Sequence, residues 1–158
     1  MPFVVEKKQL IFTKNLFSIF YSLFSKKNMF TLQQIHDAHA KVKSGADFPQ
    51  YMQDIIDLGV TSFETFVFDN HTDYNGKNDF SISSEGFTET FIVADDCNAE
   101  QFKSDLKAHQ QGQTDYPTFL NDCAKSGIEK WTVIMERMTC TYHDKKGNVI
   151  LVEKIPSV

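Results

Sequence analysis

The sequence is sparing with the residues that staple or punctuate small folds. Its 158 residues include three cysteines, seven glycines, four prolines and a single tryptophan. Cys97, Cys123 and Cys140 form no C-x-x-C pair, which excludes a disulfide scaffold and leaves no zinc-finger spacing. No apolar run reaches the roughly 18 residues that a membrane span needs. Gly-rich phosphate loops, a G-x-S-x-G elbow and an H-E-x-x-H pair are all missing. What is there is ordinary globular material, 41% hydrophobic and 23% charged, which argues against wholesale disorder. The length suits one domain or two very small ones.

The net charge of −5 is unevenly spread. Residues 1–28 carry five lysines and one acid, a charge of +4, and residues 29–158 carry 11 bases and 20 acids, a charge of −9. Nucleic acids are attracted by basic surfaces through counterion release. A body this acidic, with no Lys/Arg cluster after Lys27, argues against general nucleic-acid binding.

Residues 1–28 stand apart from the rest as a non-domain extension. Their centre is the apolar run Leu16–Phe24 behind Lys14. One reading is an export signal, but Ser25-Lys26-Lys27-Asn28 supplies no small-x-small cleavage site. Another is an amphipathic surface helix, with Ser18, Ser22 and Ser25 on one stripe and Phe17, Phe20, Tyr21 and Phe24 opposite. The favoured reading is a start codon assigned too early. Phe, Tyr, Met, Ile, Asn and Lys, the residues of AT-rich codons, fill 16 of these 28 positions, and Met29 then begins the protein proper. A membrane partner is expected only if 1–28 is real.

Residues 29–158 read as a single α+β domain containing an internal repeat. Residues 47–63 and 115–131 match in kind at nine of seventeen positions with a constant offset of 68. The matches include Asp47/Asp115, Pro49/Pro117, Asp54/Asp122 and Gly59/Gly127. Upstream, Thr31-x-x-Gln34-Ile35 ending at Gly45 parallels Asn98-x-x-Gln101-Phe102 ending at Gly112, at offset 67. Each mark has a local cause. Thr31 and Asn98 are N-caps with capping-box spacing to Gln34 and Gln101. Gly45 and Gly112 suit a left-handed residue after a helix. Asp47 and Asp115 cap the next helix, Pro49 and Pro117 fit its first turn, and Gly59 and Gly127 stop it. Helices are therefore expected over about 31–44, 48–58, 99–111 and 116–126.

After the second glycine the apolar period becomes 2, through Phe63, Thr65 and Val67 and through Trp131, Val133 and Met135. Asn75-Gly76 and Gly147-Asn148 read as turns. Thr139–His143 and Val149–Glu153 are expected strands, with Phe80–Ser83 and Glu89–Val93 as their counterparts. The pattern predicts a duplicated ααβββ unit, repeats of about 29–94 and 95–158. About four helices pack on one face of a largely antiparallel sheet of about six strands. Neither half buries much alone, so one shared core and a pseudo-twofold axis are expected.

Several stretches carry a family likeness: Met29–Pro49, Gly59-Val60, His71-Thr72-Asp73-Tyr74, Phe102–Gly112 and Cys123–Trp131. Together they resemble the YdfO-like (YbcV-like) family of small bacterial and prophage proteins, sometimes labelled "phage envelope protein". The likeness covers nearly all of 29–158. It implies a prophage setting and no assigned function, with no catalytic residues to carry over.

Candidate chemistry is thin. His36-x-x-His39 puts two imidazoles on one helix face without further ligands, and His39 falls on the Leu106 position, where half-burial is expected; no metal and no cofactor are predicted. Cys123 matches Ile55 and reads as core. Cys97 precedes a helix, whose dipole would lower its pKa, and Cys140 lies in a strand. Asp95, Asp96 and Glu100 suit a helix start, and Asp54 with Asp57 form a further acid pair. His71, Asp73 and Tyr74 correspond in place to Tyr142 and His143, and these five are the candidate binding residues, a polar pocket between the repeats. The resulting expectation is a cytoplasmic, non-catalytic binding or accessory protein with a protein partner, one sharper version being an acidic face that mimics DNA. The alternatives are a small-ligand binder or enzyme using that pocket, and a membrane-surface protein anchored by 1–28.

Overall fold

Thr31 opens the first helix. Its hydroxyl accepts from Gln34 N–H at 3.2 Å and its own N–H donates to Gln34 Oε1 at 2.8 Å, a complete capping box. Helix α1 spans Leu32–His39. The computed structural model describes residues 29–43 and 45–158, so the readings of 1–28 lie outside the described residues. Helix α1 stops short of the expected 44 because Lys43 N–H donates to Asp47 Oδ2 at 2.9 Å and the chain tightens into a 3-10 turn, Gly45–Asp47. Gly45 thus starts that turn instead of ending the helix, and the Asp47 carboxylate makes no capping bond to the helix that follows.

Helix α2 spans Phe48–Leu58 with Pro49 in its first turn, and ends at Gly59, whose φ of 107° only glycine adopts without strain. Helix α3 spans Ala99–Gln110, with Asn98 Oδ1 accepting from Gln101 N–H at 3.1 Å. Helix α4 spans Tyr116–Lys125; here Asp115 does cap, accepting from Thr118 N–H at 2.9 Å.

Six strands follow the two helix pairs: β1 (Val60–Phe66), β2 (Thr72–Gly76), β3 (Ser81–Ser83), β4 (Ile128–Ile134), β5 (Thr139–Asp144) and β6 (Val149–Lys154). They form one antiparallel sheet in the order β3-β2-β1-β4-β5-β6. Two expectations need correction. Asn75 and Gly76 lie inside β2, the true counterpart of β5. Glu89–Val93 forms no strand, because the N–H groups around it bond to loop and helix-end carbonyls: Phe87 to Asp69 at 2.6 Å, Phe91 to Phe68 at 2.7 Å and Ala94 to Ala124 at 2.9 Å.

The registers obey the 68-residue offset. Val60↔Gly76, Phe63↔Tyr74 and Thr65↔Thr72 become Ile128↔Asp144, Trp131↔Tyr142 and Val133↔Cys140, and the irregularity at Val60/Ser62 returns at Ile128/Lys130. The two halves meet at β1–β4, where Phe63↔Val133 and Thr65↔Trp131 are exchanged by the same offset and Glu64 faces Thr132. Val67 N–H to Glu129 O (2.9 Å) and Met135 N–H to Thr61 O (3.1 Å) extend that reciprocity beyond the strand ends.

All four helices pack on one face. Met52, Ile55, Phe102, Leu120 and Cys123 are fully buried against the inward side chains Phe63, Val67, Trp131 and Val133. Rings join across the layers, Phe119 to Trp131 at 5.9 Å and Phe102 to Tyr142 at 4.9 Å. Burying each large apolar side chain is worth about 1.5–3 kcal/mol. No helix among the described residues covers the other face of the sheet or is long and apolar enough to cross a membrane.

Candidate functional site

Strand alternation sends the five candidate residues to opposite sides of the sheet. Tyr74 and Tyr142 face the helices. Tyr74 lies 5.6 Å from Phe63, and Tyr142 is buried beside Phe102 and Trp131. Burial pushes both phenols up in pKa, which suits core residues more than acid–base groups. His71, Asp73 and His143 occupy the helix-free face. The pocket uniting all five is not formed: what strand position makes equivalent, the pleat separates.

The helix-free face carries a different cluster, centred where the halves meet. Glu64 Oε1 accepts from Lys130 Nζ at 2.8 Å and from Thr132 Oγ1 at 2.9 Å. Both members of the ion pair are about 30% exposed. Burial raises the Glu64 pKa, but the Lys130 and Thr132 hydrogen bonds and the Lys130 charge outweigh it and hold the carboxyl below its usual range. Lys130 Nζ also sits 5.4 Å from the Phe66 ring centroid, and His71 stacks on that ring at 4.5 Å. His71 Nδ1 bonds Asp69 Oδ1, tying the β1–β2 loop. Asp73 Oδ1 accepts from Ser83 Oγ. His143 pairs with Lys130 across β4–β5, and its Nδ1 is buried without a hydrogen-bond partner.

Sequence reasoning missed Glu64, Lys130 and Thr132. A usable signal existed: the 68-residue offset maps Glu64 onto Thr132, and both stand between inward-pointing residues of matching strands, Phe63 and Thr65 on one and Trp131 and Val133 on the other.

The other candidates are accounted for locally. His36 and His39 are both exposed; His39 packs edge-on against Tyr51 at 5.2 Å and is not half-buried as expected, whereas its counterpart Leu106 is buried. No group of three or more His, Cys, Asp or Glu among the described residues could hold a metal ion. Cys97 is corrected: burial and the Asp144 charge raise its pKa, where a helix dipole was expected to lower it. Cys123 is buried beneath α4, and burial pushes Cys140 up to about 12. Asp95 and Asp96 pair with Lys145 (2.8 Å) and Lys146 (3.1 Å), Glu100 with Lys103 (3.1 Å) and Asp54 with Lys41 (3.1 Å); Asp57 accepts from Gln53 (2.9 Å).

A second feature lies where α2 runs into β1: a groove of about 1050 Å³. Phe30, Phe80 and Met135 give it an apolar floor, and Asp57, Asp79 and Glu136, with the single cation Lys77, a net acidic rim. Phe30 and Phe80 meet edge to face at 5.0 Å. A Cβ on Gly76 would stand 2.9 Å from Phe30 Cε1, so any larger residue there would have to displace that ring.

These features define the class: an α+β protein with helices on one side of an antiparallel sheet and a polar, helix-free face on the other. More particularly, the chain belongs to the family described as "Protein of unknown function (DUF1398)", which matches residues 36–154. No curated protein matches it.

Proposed function

We propose that this is a non-catalytic binding or accessory protein that engages a protein partner through the helix-free face of its sheet. One observation carries the reading. Glu64, Lys130 and Thr132 form a bonded, half-buried cluster at the centre of that face, placed there by strands from both halves. A charge pair fixed in this way favours specificity over raw affinity. Around it stand Asp73, His71 and His143, all partly exposed and able to hydrogen-bond.

Finer statements belong to the same reading. The matching registers support an origin by duplication of an ααβββ unit, with 29–158 acting as one domain. The stretches Met29–Pro49 and Cys123–Trp131 support a place beside the YdfO-like prophage proteins, and the −9 charge of the body supports a cytoplasmic protein partner over nucleic acid. The test is capture from host lysate at low salt, comparing the full chain with a T132K/T141K variant of the face. A partner held by the wild type and lost by the variant is expected. Equal capture by both, or none by either, refutes the reading.

A further inference from the structure

The second half shows how a chain segment can lie across a helix–strand junction of this fold. In the second half the chain entering α3 crosses the α4–β4 junction closely. Ala94 N–H donates to Ala124 O at 2.9 Å and Asn98 N–H to Ser126 O at 3.0 Å. A Cβ on Gly127 would stand 2.7 Å from Asp96 O and 2.9 Å from Cys97 Cα. Val93 is buried there, and Phe91 N–H reaches Phe68 O at 2.7 Å.

Under the offset of 68, Ala124, Ser126, Gly127 and Phe68 of that junction correspond to Ile56, Leu58, Gly59 and Glu136, which line the 1050 Å³ groove. Applying the helix-entry offset of 67 to Phe91–Cys97 gives Phe24–Phe30. Phe30 already lies in the groove, buried, and Met29 stands on its wall.

We propose that the groove at the α2–β1 junction is the docking site of this chain's own Phe24–Asn28, which crosses it as Phe91–Asp95 approach the α4–β4 junction, with the Phe24 ring on the apolar floor. Three further observations agree. Phe24 is five residues from Met29, so it lies within roughly 17 Å of the groove wall even when fully extended. A tether that short gives an effective concentration in the millimolar range. The groove's three carboxylates, Asp57, Asp79 and Glu136, outnumber its one lysine, Lys77, which leaves a net negative rim to receive the charges of Lys26 and Lys27. The inference is independent of the proposed partner surface, which is on the sheet face, and it takes Phe24–Asn28 as part of the chain, against the reading in which the protein begins at Met29.

The test is amide hydrogen exchange on the full chain, read at Gly59–Thr61 and, as an internal reference, at Gly127–Glu129. In the wild type both stretches should be protected. F24D should speed exchange at Gly59–Thr61 by about tenfold or more and leave Gly127–Glu129 unchanged. A second variant, K26E/K27E, should give a smaller acceleration that D57K/D79K reverses when combined with it. Three outcomes overturn the proposal. One is exchange at Gly59–Thr61 that F24D and K26E/K27E leave unchanged. Another is protection that disappears on dilution, which places the occupant in a second copy. The third is fast wild-type exchange there while the chain sediments with phosphatidylglycerol vesicles, which makes 1–28 a membrane segment.

Discussion

The halves 30–83 and 98–154 share one backbone plan and execute it with unequal firmness. Helix α3 has twelve residues against eight in α1, and β6 has six against three in β3. Asp115 caps α4, whereas the Asp47 carboxylate turns to Lys43. In the aromatic cluster Phe102, Phe119, Trp131 and Tyr142, Phe102 and Trp131 have the lighter equivalents Ile35 and Phe63, while Phe119 and Tyr142 correspond to Tyr51 and Tyr74. Registers, the irregularity near each strand start and the left-handed Gly59 and Gly127 correspond, while side chains and caps differ and Gly112 is left-handed where Gly45 is not. The same backbone geometry is compatible with different side chains, as Glu64 and Thr132 occupy corresponding places with different chemistry.

The largest expected effect tests whether that inequality matters for stability. Phe102→Ala should cost about 4 kcal/mol and its counterpart Ile35→Ala about 3 kcal/mol, read by urea unfolding. Trp131 fluorescence and far-ultraviolet circular dichroism should give coincident transitions in both variants, because β1–β4 joins the halves through one sheet. Separate transitions would show two independently stable units.

Next comes the junction glycine. Gly127→Ala combines a φ of +78° with a 2.7 Å approach to Asp96 O, and should cost about 3 kcal/mol from the left-handed penalty plus the clash. Gly112→Ala has a similar φ of +75° in open space and should cost only about 1 kcal/mol. Equal melting temperatures for the two variants would mean that the linker does not hold the junction.

A smaller effect sharpens the contrast at the centre of the sheet. The Glu64 carboxyl titrates lower in the folded chain than in the unfolded one. Its stabilisation is therefore present above the unfolded value of about 4.3 and is lost as pH falls through the folded value. Lys130→Met should lower the melting temperature near neutral pH, and the gap from wild type should close as the buffer is taken down through that range. A gap independent of pH would show that Lys130 acts by packing alone.

The caps give the smallest difference. Thr31→Ala and Asn98→Ala should each cost about 1 kcal/mol. Gln34→Ala should add a few tenths of a kcal/mol to the first, whereas Gln101, whose side chain donates to Asp105 at 2.8 Å, should add nothing through the cap. Thermal melts of the four single variants decide it.

Local marks were legible in the sequence because their causes are local. Pro49, Pro117, Gly59 and Gly127 bound α2 and α4 to within a residue. The alternation from Phe63 and from Trp131 located β1 and β4, and with them the helix-covered side. What depends on neighbours was not legible. Asn75-Gly76 has the composition of a turn, but pairing with Ser62 and Val60 keeps it in β2. Glu89–Val93 alternates like a strand, yet its surroundings bond to loop and helix-end carbonyls. The Glu64–Lys130 contact joins residues 66 apart in sequence, and only the register brings them together. His71 and Tyr142 were grouped by equivalence along the strands, which is blind to the alternation that sends them to opposite faces.

The reciprocal bonds Val67–Glu129 and Met135–Thr61 bear on how the molecule assembles in time. The middle of the sheet is its most distant contact in sequence, so neither half offers the other a template until both have largely formed. Loop-closure entropy must be overcome before that central pairing rewards it, and high contact order slows folding. Refolding should be limited by the meeting of β1 and β4, with the helix pairs forming early as local units.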